Sequence, residues 1–120
     1  MILKNYIVLN KKGIRYLFGE IYEDSRFEDG HLILTSKLVD INEDFAMTAS
    51  MSKYQLGNEL DLKAFCDHLM VTRLKSQGRP YCLHILNIIL CNHDCPKWFP
   101  QYIADVQLYK EPDLDALMNN

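Results

Sequence analysis

Residues 1–22, MILKNYIVLNKKGIRYLFGEIY, decide the fold. Ile2 to Leu9 is a short run rich in residues that sit well on a pleated surface, and Lys11-Lys12-Gly13 after it is a glycine-containing turn signal. Ile14 to Tyr22 resumes the run, with Ile14, Tyr16 and Phe18 on one face and Arg15 and Leu17 on the other. The two runs predict a β-hairpin, and a β-rich half grows from it.

Working outward, Glu23 to Arg26 is polar, and Asp29-Gly30 is a strong turn signal because glycine tolerates a positive φ; a third strand starts at His31. Leu32, Leu34, Leu38 and Ile41 do not keep one alternation, which predicts either a bulge near Thr35-Ser36 or burial on both faces. Asn42-Glu43-Asp44 makes the next turn, and Phe45 to Met51 and Lys53 to Leu56 complete the half before Gly57-Asn58. The expectation is about five short strands over residues 2–56, forming a small antiparallel sheet or a partly open barrel.

Asp61 is a good N-cap, and Leu62, Phe65, Cys66, Leu69, Met70 and Leu74 recur behind it at helical spacing until Gly78 and Pro80. One amphipathic helix over residues 61–76 is expected, with Lys63, Asp67, Arg73 and Lys75 on its polar side. The apolar segment 81–91 is buried whichever element it forms. Pro80 suits a helix's first turn while Ile85, Ile88 and Ile89 lean towards strand, and the balance falls to helix. Asn92 to Pro96 reads as a loop, Lys97-Trp98-Phe99-Pro100 as a stiff loop between two prolines, and residues 102–109 as a closing strand because Tyr102, Ala104, Val106 and Leu108 alternate with Ile103, Asp105, Gln107 and Tyr109. Pro112 ends that strand, and Asp113 to Asn120 forms one frayed helical turn or stays loose. The class is α+β, in a single domain over residues 1–120 without an internal repeat.

At 120 residues the chain can bury a core without disulfides or metal. Its hydrophobic fraction of 48% and charged fraction of 24% are ordinary for a globular domain, and a net charge of −3 provides no global attraction for nucleic acid or anionic lipid. The amino terminus is too polar and its apolar runs too short for a signal peptide, and segment 81–91 is too short to span a membrane. A cytoplasmic location follows, with Cys66, Cys82, Cys91 and Cys95 reduced.

Residues 26–57 carry a further pattern: Phe27 before the Asp29-Gly30 turn, Thr35-Ser36, Ile41, and then Thr48, Ser50, Tyr54, Leu56 and Gly57 ahead of a helix. In these residues the chain resembles a small uncharacterised domain that recurs in prophages and other bacterial mobile elements, with Met51 and Ser52 altering the spacing before Tyr54. The resemblance covers about a quarter of the chain and implies a fold more than an activity.

No phosphate-cradling glycine loop, nucleophile elbow or zinc-protease helix is present. Glu20, Glu23, Asp24, Glu28 and Asp29 read as a solvated rim rather than as paired catalytic carboxylates. Cys91, His93 and Cys95, with Cys66 or His68 as a fourth ligand, have residue types that suit zinc. Their alternate spacing, however, does not wrap a tetrahedral ion, so no metal and no cofactor is expected. A cysteine nucleophile activated by His93 has only sequence proximity behind it. Arg73, Lys75 and Arg79, with Lys53, make a modest basic patch that helix-dipole complementarity also explains, and Tyr16, Phe18, Tyr22 and Tyr54 are aromatics of the kind on which bases stack, although most belong in a core.

Trp98 and Phe99, with Tyr102 nearby, either cap the core or offer an aromatic anchor for a partner. The reading that leads is a non-enzymatic protein-binding accessory or inhibitor module, of mobile-element origin and of anti-defence or immunity type. Trp98, Phe99, Tyr102, Arg73, Lys75 and Arg79 are its candidate contact residues. Its partner is another protein, a homo-oligomer is compatible with the sequence, and no membrane is involved. The competing reading is a nucleic-acid-associated or zinc-containing regulatory module.

Overall fold

A computed structural model describes residues 1–108 of the protein. Nine elements follow in order: β1 (Ile2–Lys11), β2 (Ile14–Tyr22), β3 (His31–Leu34), β4 (Leu38–Ile41), β5 (Phe45–Thr48), β6 (Lys53–Leu56), α1 (Leu62–Gln77), α2 (Arg79–Asn92) and α3 (Trp98–Leu108). The class is α+β, but the architecture corrects the sequence reading in three respects. Among the described residues there are six strands rather than five, the sheet is mixed rather than antiparallel, and a third helix stands where a closing strand was expected. By contact the chain divides into two compact units, Met1–Phe65 and a second beginning at Cys66 within α1.

In the first unit the strands lie in the order β3-β2-β1-β6-β5-β4. The β1–β2 hairpin turns at Lys12 and Gly13, both with positive φ, as the Lys-Lys-Gly signal required. Gly30 has φ 89 and its N–H donates to the Ile21 carbonyl at 2.7 Å, so the Asp29-Gly30 turn also forms where expected. The segment from Leu32 to Ile41, expected as one strand with either a bulge or burial on both faces, is two. At Thr35 the chain leaves the β2 edge, with Thr35 Oγ1 accepting from the Leu17 N–H at 3.0 Å, and it then re-enters the sheet at the far edge as β4. A side-chain hydroxyl replaces the ladder carbonyl there, which ends the pairing without stranding a donor.

The sheet becomes mixed because β1 is central and runs parallel to β6 through Ile2↔Gln55 and Leu3↔Leu56. Tyr6 extends the contact by donating to the Asn58 carbonyl at 3.2 Å and accepting from Leu60 N–H at 2.7 Å. Leu3, Tyr6, Leu17, Ile21, Ala46 and Tyr54 form one apolar cluster, and Ile33 of β3 and Leu38 and Ile41 of β4 pack onto it. Strands from both edges of the sheet share that cluster, so the sheet must curl around it. Phe18, on the opposite face of β2, meets Phe65 edge to face at 5.6 Å. Leu17 to Ile21 is therefore buried on both faces while Ile14 is exposed.

α1 starts as its cap predicts, with the Ala64 N–H donating to Asp61 Oδ1 at 2.8 Å. It stops at Gly78, whose φ of 92 gives the chain a left-handed exit and whose N–H donates to the Leu74 carbonyl. Within the second unit the apolar segment 81–91 is α2, with Pro80 in its first turn and Cys82, Ile85, Leu86 and Ile89 buried. The expected strand 102–109 is instead α3, packed on α2, and the part of that expectation on Tyr109 lies outside the described residues. Its buried residues, Phe99, Ile103 and Val106, are spaced four and three apart, which is the period of a helix. Pro100 does not break it, because the first turn of a helix needs no backbone donor. The expectations for Pro112 and Asp113 to Asn120 also lie outside the described residues. Among the described residues no helix is long and apolar enough to cross a membrane.

Candidate functional site

The candidate site lies in the second unit, at the start of α3. Pro96 precedes the helix and its carbonyl accepts from Phe99 N–H at 3.1 Å, which fixes the first turn. That turn separates the two aromatics expected to act together. Phe99 points inward and is fully buried, whereas Trp98 remains 39% exposed. Phe99 is thus a core residue and leaves the set of contact candidates. Trp98 is held by edge-to-face contacts with Phe99 at 5.9 Å and Tyr102 at 6.1 Å, so its indole is braced from two sides.

Tyr102 lies one turn on and is half-buried; its hydroxyl donates to Asp67 Oδ1 of α1 at 3.5 Å. Burial pushes the Tyr102 phenol above its usual range, and the neighbouring Cys66 thiol and Asp67 carboxylate push it further in the same direction. Tyr102 is therefore a neutral hydrogen-bond donor, not a base. Asp105, a turn further along α3, accepts from Gln101 Nε2 at 2.9 Å, and Val71, one turn from Asp67 on α1, is 67% exposed. An aromatic ridge with two carboxylates and an exposed aliphatic side chain results. It offers apolar area and hydrogen-bond acceptors.

The other candidates lie elsewhere. Arg73 and Lys75 are in the last two turns of α1 and Arg79 opens α2; Arg73 Nη1 donates to Thr72 Oγ1 at 3.0 Å. Lys53 belongs to β6, with its ammonium 4.4 Å from the centre of the Phe45 ring. Cys91 is exposed in the last turn of α2, His93 ends that helix, and the Cys95 thiol turns back towards the Ile89 carbonyl at 3.9 Å. Burial lowers the pKa of His93 against the opposing effect of Asp94. None of the four cysteines is joined in a disulfide, and among the described residues no group of three or more His, Cys, Asp or Glu side chains is placed to hold a metal ion. Of the aromatics with base-stacking character, Phe18 and Tyr54 are buried and Tyr16 and Tyr22 are half-buried.

Two carboxylates read as solvated rim are not solvated. Glu20 is only 5% exposed, and its Oε1 accepts from Asn5 Nδ2 at 2.9 Å and from the Tyr22 hydroxyl at 3.2 Å. Asn5 occupies the bulge in β1 with φ 48, a left-handed conformation that asparagine tolerates, and its backbone N–H donates to Asn58 Oδ1. Asp24 is buried as well, held by Arg26 through Nε at 3.0 Å and Nη2 at 2.7 Å. These hydrogen bonds hold the Asp24 carboxyl down at about 2. Both networks tie strands and loops together. No family model, curated protein or solved structure matches the chain.

Proposed function

We propose that the chain is a non-enzymatic protein-binding module of the cytoplasm, of accessory or inhibitor type, whose contact surface is centred on Trp98. One observation carries the reading: the sole tryptophan is braced against two aromatic neighbours yet leaves more than a third of its surface open. A large, rigid aromatic loses little conformational entropy on binding, and such residues dominate the energetics of protein interfaces. Tyr102 and Asp67 beside it add hydrogen-bonding capacity of the kind found around such anchors. The net charge of −3 favours a protein partner over nucleic acid.

Origin in a mobile element, and with it an anti-defence or immunity role, rests on the resemblance of residues 26–57. In the fold these residues fall in the turn before β3, in β3 to β6 and in their connections, which fits a pattern that specifies architecture. The test compares tagged wild-type protein with Trp98→Ala and Met51→Ala in quantitative affinity capture from a bacterial host. Met51 is the control because it is 79% exposed and lies outside the site. Proteins lost from the Trp98→Ala capture but kept by Met51→Ala, with the far-ultraviolet spectrum of both variants unchanged, support the reading; identical captures from all three refute it.

A further inference from the structure

We infer that the Trp98 surface recognises an arginine side chain presented by its protein partner, an inference that rests on the reading above and specifies the partner's chemistry. On α3, Trp98, Tyr102 and Asp105 are spaced four and three residues apart and so form one ridge, while Phe99, Ile103 and Val106 form the buried side. Tyr102 reaches Asp67 of α1 at 3.5 Å, which brings a second carboxylate to the same ridge. The ridge therefore combines an open indole with two acidic groups, and this combination attracts a cation rather than an anion or a neutral apolar side chain.

Arginine fits it better than lysine. Its guanidinium is planar and weakly hydrated, stacks on an indole, and offers five donors, some to the ring-side carboxylate and the rest to solvent. Asp105 already accepts one hydrogen bond, from Gln101 Nε2, and a carboxylate has sites for about four. Val71, one turn along α1 from Asp67, is 67% exposed and offers apolar surface to the arginine stem.

Because Trp98 is the only tryptophan, its emission reports on this surface alone. The experiment titrates the full chain with a capped glycine-spaced diarginine peptide and with its citrulline counterpart, which keeps the shape and lacks the charge. The expected result is a saturable change in Trp98 emission, about tenfold tighter for arginine than for citrulline, which weakens with added salt and by several-fold in Asp105→Asn. Equal responses to the two peptides, or none to arginine, overturn the inference. A chain that ignores the arginine peptide while Trp98→Ala still loses its captured protein leaves the binding surface in place and refutes only its preference for arginine. If Trp98→Ala captures the same proteins as the wild type, the underlying reading fails instead.

Discussion

Gly19 is the position where the fold tolerates no side chain, and replacing it with alanine tests the packing of β1 on β2 directly. A Cβ built there lies 2.6 Å from Tyr6 Cβ, 2.8 Å from Tyr6 Cα and 3.1 Å from the Lys4 carbonyl oxygen. Carbon atoms pack best at about 3.5–4.0 Å, and the atoms in the way are backbone and the root of a side chain, which no rotamer change removes. Relief requires β1 and β2 to separate by about 1 Å at the bulge where Asn5 bonds Glu20 and Asn58. Overpacking of this kind costs about 1–3 kcal/mol, and loss of one of those hydrogen bonds adds about 1 kcal/mol. Gly19→Ala should therefore lose about 2–4 kcal/mol in urea unfolding followed by circular dichroism. The sign is informative, since an unhindered glycine-to-alanine change stabilises by about 0.4–1 kcal/mol through the unfolded chain. Gly30→Ala is the contrast: its Cβ meets only the Tyr22 ring end at 3.6 Å, so its expected loss of about 1–2 kcal/mol comes from φ 89 alone. A Gly19→Ala variant as stable as the wild type would show that the two strands do not approach as described.

The two adjacent aromatics should separate cleanly. Phe99→Ala should cost about 3–5 kcal/mol as a core truncation, and Trp98→Ala less than about 2 kcal/mol, so equal losses in thermal or urea unfolding would contradict their different burial. Asp61→Ala removes the N-cap bond to Ala64 and should lower stability by about 1 kcal/mol, with Asp61→Asn recovering most of it; no loss in the alanine variant would rule out the cap. Asp24 titrates in the folded chain at about 2 rather than its usual 3.8, so its contribution is fully present above about pH 4 and disappears as pH falls towards 2. Asp24→Asn, measured by unfolding at a series of pH values, should lose less stability than the wild type between those limits, and parallel curves would refute the Arg26 contact.

Where one period is unambiguous, local sequence and fold agree. The hairpin of residues 2–22, the left-handed turn at Gly30 and the helix capped by Asp61 each depend on a residue whose conformational role is nearly independent of its surroundings. The failures are non-local. Nothing in Leu32 to Ile41 announces that β4 joins the opposite edge of the sheet from β3, because strand order depends on partners far along the chain. The broken alternation at Thr35-Ser36 marked the place correctly, but it signified a departure from the sheet and not a bulge within it. The parallel β1–β6 pairing was equally hidden, since its register joins residues more than fifty positions apart. Glu20 reads as surface in sequence for a related reason: only the β1 bulge places the Asn5 amide over it, and a bulge on one strand cannot be seen from the other.

The candidate site follows from a single change of period. Read as a strand, residues 102–109 place Tyr102 and Asp105 on opposite faces and Tyr102 with Val106 on the same one. Read as the helix α3, the same residues bury Val106 and bring Tyr102 and Asp105 to one side with Trp98. The spacing of Phe99, Ile103 and Val106 contained this information, but counting it required Pro100 to be accepted inside a helix, and proline is permitted there only because it falls in the first turn. Asp67 was visible from the start as a polar position on α1, and what the sequence lacked was the helix from which Tyr102 reaches it. Trp98 and Tyr102 were thus identifiable by residue type, whereas the acidic groups that give the surface its preference for a cation became assignable only once both helices were in place.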